Sequence, residues 1–157
     1  MSLVKEKMRV VIQRVFESDV CVEAKTVAKI GKGMLVLVAV EDEDADSDIE
    51  WLTSKIVKLR IFDDENGVMN KSVLEVGGEI LVVSQFTLFA STKKGNRPSY
   101  LKASAPSFSK PMYEKFMQVL EVKLGKKIPH GEFGSLMRVS LVNDGPTTII
   151  IDTKLKE

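Results

Sequence analysis

Met34-Leu35-Val36-Leu37-Val38-Ala39-Val40 is an unbroken run of seven apolar residues. A strand with one wet face alternates polar and apolar positions, so an unbroken run of this length marks a strand buried on both faces. Upstream, Arg9–Phe16 is β-rich and reads as a strand. Glu17-Ser18-Asp19 reads as a turn, Val20–Glu23 as a short second strand carrying Cys21, and Thr26–Ile30 as a third, ended by Gly31-Lys32-Gly33. Downstream, the acidic stretch Glu41–Asp48 is read as a solvated loop and a helix N-terminus, where carboxylates complement the macrodipole, rather than as a metal site.

Ile49, Leu52, Ile56 and Leu59 repeat at helical spacing, which predicts an amphipathic helix from about Asp46 to Arg60. Asp63–Gly67 is a turn, and Val76-Gly77-Gly78 another before a strand expected over Glu79–Phe86. Thr92–Pro106 is a long polar loop headed by Lys93-Lys94-Gly95-Asn96-Arg97-Pro98. A second helix is expected from Ser107 or Ser109 to Leu124. Pro111 would fall in its first turn, the Met and Phe stripe would be core packing, and Gly125 would stop it. The last third reads as a loop (Lys126–Gly134), a strand (Ser135–Asn143), a turn and a strand (Thr147–Asp152). Strands and two main helices in separate blocks make the class α+β.

The chain has 157 residues and a formal net charge of +1, which suits one domain over residues 8–157 and provides no global field for nucleic acid. Met1–Lys7 is read as an N-terminal extension or cloning remnant. One cysteine, no secretory signal and no run near the ~20 apolar residues of a membrane span point to a cytoplasmic protein without a membrane partner.

Common hydrolytic constellations are poorly supplied. The sole histidine, His130, stands in a Gly-flanked loop and reads as a loop residue. One His and one Cys make no zinc site, and no phosphate-binding glycine motif is present, so neither metal nor cofactor is expected. Two interrupted strands hold the chemistry that remains. Ser84-Gln85-Phe86-Thr87-Leu88 ends the apolar run Ile80–Val83; N–H groups at Phe86, Thr87 and Leu88 left over at a strand end can stabilise an oxyanion. Thr87 would be a nucleophile or would position water. Asn143-Asp144-Gly145-Pro146 is a turn or, with a cis bond, a side-chain-free wall that excludes a substituent by clash.

Arg9–Val15, the Ser84–Leu88 run, Lys94–Pro98, Gly131-x-Phe133-Gly134-x-x-Met137 and Asn143–Pro146 occur in this order. Together they resemble the D-aminoacyl-tRNA deacylase family from Met8 to about Asp152. The small departures are Thr147, where Val or Phe is more usual, and Tyr100, where Phe is common. The resemblance implies hydrolysis of the ester between a D-amino acid and the 3′-terminal adenosine of tRNA, with mischarged glycyl-tRNA as a further substrate. This is proofreading in translation. It implies a mostly antiparallel, barrel-like sheet core and a homodimer in which the Gly-Pro of one subunit enters the site of the other. Carried over, Ser84, Gln85, Phe86 and Thr87 line the cleavage site. Gly145 and Pro146 form a chiral filter braced by Arg14. Phe133, Gly134 and Met137 belong to the adenosine pocket. Read from its charge, the segment Lys93–Arg97 suits a phosphate, with Lys94 and Arg97 as substrate-binding candidates, or is a solvated loop.

Overall fold

The computed structural model describes residues 8–41, 46–100 and 105–155; Met1–Lys7 and parts of the acidic stretch (42–45) and of the polar loop (101–104) lie outside them. Strand β1 (Met8–Val22) is the axis of the sheet. On one edge it pairs antiparallel with β2 (Lys25–Ile30) and then with β3 (Gly33–Val40); on the other it pairs with β7 (Arg138–Asp152). Strand β6 (Glu79–Ser84) joins β3 in parallel, the one departure from the antiparallel expectation in this sheet. Two short strands, β4 (Phe62–Asp63) and β5 (Met69–Lys71), form a separate hairpin.

The sheet curls, and its faces bury different clusters. Met34, Val36, Val38 and Val40 of β3 pack with Met8, Val10 and Ile12 beneath helices α1 (Asp46–Lys58) and α3 (Pro106–Leu124). Leu35 and the partly buried Leu37 face the other way, with Val15, Val20, Ala28, Ile30, Leu81 and Val83. The run that reads as buried on both faces is therefore buried on both faces. Ile49, Leu52 and Ile56 of α1 meet the α3 stripe Phe116 and Leu120, all at 0–1% exposure. Each such side chain contributes about 1.5–3 kcal/mol on burial.

Several boundaries differ from expectation. Glu17-Ser18-Asp19 is not a turn: β1 runs straight through it, Ser18 donates to the Ser140 carbonyl at 2.8 Å, and Phe16 bulges out unpaired. The chain reverses instead at Glu23 and Ala24, whose positive φ values (51° and 66°) make the two-residue hairpin between Val22 and Lys25. Helix α3 starts at Pro106, so Pro111 lies in the second turn; the carbonyl it deprives of a donor belongs to exposed Ser107, where water can serve. A short helix α2 (Val73–Val76) carries a full Ser72–Glu75 capping box. No helix of the described residues is long and apolar enough to cross a membrane.

Candidate functional site

β6 stops because its ladder stops. The Gln85 amide makes the last bond of the ladder, to the Val38 carbonyl at 2.8 Å, and the chain then tightens into a 3-10 turn, Phe86–Phe89. Contrary to the sequence expectation, Leu88 N–H is not left over: it donates to the Gln85 carbonyl at 3.2 Å, and Ala90 N–H to that of Thr87 at 3.0 Å. Phe86 and Thr87 open the turn, where no carbonyl lies three residues back within it, and their N–H groups meet no acceptor among the described residues. The Gln85 side-chain amide donates to Thr87 Oγ1. Phe86 is exposed and packs edge-on against Tyr100, with centroids 5.1 Å apart.

The second half of the sequence supplies a neighbour to this turn. Val82 N–H donates to the Pro129 carbonyl (3.1 Å) and Gly131 N–H to that of Val82 (2.9 Å), so residues 129–131 run beside β6. The loop that follows thus starts next to the end of β6. Phe133 leans on Tyr113 at 5.7 Å, and Met137 packs into the space that a Cβ on Gly131 would take, 2.5 Å from Sδ. Phe133, Gly134 and Met137 belong to the loop that starts beside the Ser84–Thr87 strand end. His130 turns Nδ1 to the Gly131 carbonyl at 2.8 Å, back onto its own loop. Lys94 and Arg97 sit exposed on a small hairpin closed by Ser91 and Ser99, without an ion pair among the described residues.

Asn143–Pro146 does not end a strand; it loops out of one. Thr148 faces Gln13 and Asn143 faces Val15, so four residues of β7 swing away opposite a single residue, Arg14. Asn143 closes the base of the loop, its Nδ2 donating to the carbonyls of Arg14 (2.9 Å) and Thr147 (3.1 Å). The Gly145-Pro146 bond is cis, and both residues are exposed. Gly145 has φ +119°, and a Cβ there would meet Thr147 Oγ1 at 2.7 Å and Arg14 Nη2 at 2.9 Å, so any side chain strains the backbone and forces the loop to shift. Arg14, only 8% exposed, donates from Nε to the Asp144 carbonyl (3.3 Å) and from Nη1 to that of Ile61 (2.6 Å), with Asp63 Oδ1 3.5 Å from Nη1. Ile61 and Asp63 lie 47 and 49 residues from Arg14, and no local pattern announces them.

The sheet register separates the two motifs. Ser84 stands in one row with Val38, Val10 and Ile151; Asn143 stands in another with Val15, Gly33 and Glu79. From Glu79 to Ser84 is five residues, about 17 Å along a strand, and β7 and β6 are three strand spacings apart, about 14 Å. One chain does not bring them together. Among the described residues no group of three His, Cys, Asp or Glu side chains could hold a metal ion.

Comparison with known proteins adds four findings. A solved structure described as "c-Myc DNA Unwinding Element Binding Protein" superposes with a TM-score of 0.87 at 37% identity, over 91% of this chain and 97% of that one. Another, of a probable eukaryotic D-amino acid tRNA deacylase, has the same fold (TM-score 0.81, 20% identity, 93% and 99% covered). Proteins named D-aminoacyl-tRNA deacylase from Bacteroides thetaiotaomicron and Flavobacterium psychrophilum are each 61% identical over 150 residues, 96% of this chain and 100% of theirs. The family model described as D-Tyr-tRNA(Tyr) deacylase matches residues 11–152, and with relatives this similar over their whole length the chain belongs to that family.

Proposed function

We propose that this protein hydrolyses the ester of D-aminoacyl-tRNA, releasing free D-amino acid and tRNA, and that it does so as a cytoplasmic homodimer, one domain per chain over residues 8–157. Glycyl-tRNA is a second substrate, because glycine has no side chain for a wall to reject. The observation that carries the reading is the pair of N–H groups at Phe86 and Thr87, which meet no acceptor among the described residues and open a turn close to where the Phe133–Met137 loop begins.

The ester is already an activated acyl group, so no strong protein nucleophile is needed. A water, oriented with help from the ribose 2′-hydroxyl, adds to the carbonyl carbon. The carbonyl oxygen gains the negative charge and is met by the Phe86 and Thr87 N–H groups. The bond to the ribose 3′-oxygen then breaks, and that oxygen leaves with a proton from the water. Thr87 serves better as a positioning group than as a nucleophile: the amide on its Oγ1 is a donor, and a donor withdraws electron density where a base would add it. Ser84 and Gln85 shape this end of the site, Phe133, Gly134 and Met137 hold the adenosine, and Lys94 and Arg97 meet the backbone of the tRNA end. Neither metal nor cofactor takes part.

Gly145 and Pro146 act from the partner subunit. Their exposure, their rigid support and their distance from Ser84 within one chain support this arrangement. A wall of backbone placed against the substrate's α-carbon blocks the L side chain and leaves the D side chain its own direction. Incubation with D-tyrosyl-tRNA and L-tyrosyl-tRNA tests the activity: rapid loss of the D-ester alone is expected. D-ester loss no faster than in buffer would leave a non-catalytic binder of RNA 3′ ends.

A further inference from the structure

We propose that Arg9 is a positioning residue for the Phe86–Phe89 turn, locking it to the paired ends of β1 and β7; the proposal rests on the reading of that turn as the oxyanion site. Arg9 stands opposite Asp152 in the β1–β7 register. Its Nε and Nη2 both donate to Asp152 Oδ2, at 3.0 and 2.9 Å, and its third nitrogen, Nη1, donates to the Leu88 carbonyl at 2.8 Å. Its guanidinium carbon lies 5.1 Å from the Phe89 ring centroid. Asp152 is 6% exposed and Arg9 28%.

The chemistry of the turn calls for such a partner. A four-residue 3-10 turn is too short to hold its own geometry, and its last carbonyls lack intrahelical donors. Leu88 is one of those carbonyls, and Arg9 supplies its donor. The planar guanidinium makes the supply directional: with two nitrogens held by Asp152, the third has one place to point. The turn is thereby fixed relative to β1 at a point paired on both edges, where Arg9 faces Ala39 and Asp152, and so are the Phe86 and Thr87 N–H groups at its start. An ammonium on a flexible stem can satisfy Asp152 or Leu88 but cannot set the angle between them. A misplacement of about 1 Å in a reacting constellation can cost on the order of 100-fold in rate.

The test measures Arg9→Ala, Arg9→Lys and Asp152→Asn in two ways. Amide hydrogen exchange at Leu88 and Ala90, with β1 and β3 amides as the fold control, reports the turn itself. Single-substrate kinetics on D-tyrosyl-tRNA report its use. The expected result for Arg9→Ala is exchange at least about tenfold faster at Leu88 and Ala90, unchanged exchange in β3, and kcat lowered about tenfold or more with KM within about twofold. Arg9→Lys falls on the same side as Arg9→Ala in both readouts, and Asp152→Asn lies between it and the wild type. Unchanged exchange at Leu88 and Ala90 in a folded variant overturns the proposal, and so does faster exchange with kcat intact. If Arg9→Ala does not fold, Arg9→Lys decides by the same criteria. A wild-type protein without D-ester release would fail the deacylase reading instead, and the exchange readout would still decide whether Arg9 holds the turn.

Discussion

Arg14 holds Asp144 at two points: its Nε lies 3.3 Å from the Asp144 carbonyl oxygen and 3.2 Å from Oδ2. The same guanidinium reaches the Ile61 carbonyl at 2.6 Å, so the loop that carries Gly145 is tied through one buried side chain to the β4 hairpin. Arg14→Ala leaves both carbonyls without this donor. We expect a loss of about 1.5–3 kcal/mol in urea unfolding, the usual cost of losing hydrogen bonds to a charged group. D/L discrimination should fall with it. Arg14→Lys should recover little of either, because one ammonium cannot serve Ile61 and Asp144 together. Unfolding and discrimination both at wild-type levels in Arg14→Ala would remove the brace from the account.

Gly145→Ala should narrow D/L discrimination at least about tenfold, or ~1.4 kcal/mol of differential barrier. The added methyl would sit 2.7 Å from Thr147 Oγ1 and 2.9 Å from Arg14 Nη2, at φ +119°, so the loop must move. Rates of D- and L-tyrosyl-tRNA hydrolysis by the folded variant measure the effect. A ratio within twofold of wild type would show that the loop does not touch the substrate.

Tyr113 provides a pH prediction. Its hydroxyl is buried with no hydrogen-bond partner among the described residues, and burial holds its pKa well above the ordinary phenol value. Below about pH 10 the folded and unfolded states both keep the proton and stability does not respond. Above it the unfolded chain releases the proton while the folded one retains it, so stability falls as pH rises. Tyr113→Phe loses no hydrogen bond and should be as stable as wild type or up to about 1 kcal/mol more so at pH 7. It should also lose less stability between pH 9 and 11. A variant clearly less stable than wild type at pH 7 would mean that the hydroxyl has a partner after all.

The physical reasons for what could and could not be read from sequence are specific. Met34–Val40 was legible because burial on two faces leaves no room for a polar residue, and α1 because Ile49, Leu52 and Ile56 keep helical spacing. Glu17–Asp19 misled because polar residues are tolerated in a strand with a bulge beside it, where Phe16 leaves the ladder. Glu23-Ala24 takes a turn usually given to Asn-Gly, with the pairing of β1 and β2 overriding local preference. The Ser72–Glu75 box has Ser-x-x-Glu spacing, but the helix it opens is four residues long, too short to show a helical period in the sequence. In the site, Ser84–Thr87 was visible as polar residues closing an apolar strand. Arg9 was visible as part of a β-rich run and of the Arg9–Val15 motif, but not as a brace: its partners, Leu88 and Asp152, are 79 and 143 residues away. Nothing near Arg9 in sequence points to either.

The claim most exposed to test is that the filter of one chain serves the active site of another. Two proteins are needed: Gly145→Ala, with its leaky L-ester hydrolysis, and a chain crippled by Phe86→Pro, which removes one of the two oxyanion N–H groups, but keeping Gly145. Refolding them together with the crippled chain in about ninefold excess places most active chains opposite a wild-type filter. L-tyrosyl-tRNA hydrolysis per active chain is the measurement. The account predicts a fall to roughly a tenth of the rate of Gly145→Ala alone, with D-ester hydrolysis per active chain retained. An L-ester rate per active chain that does not change with the excess would mean that each chain filters its own substrate, and would contradict it.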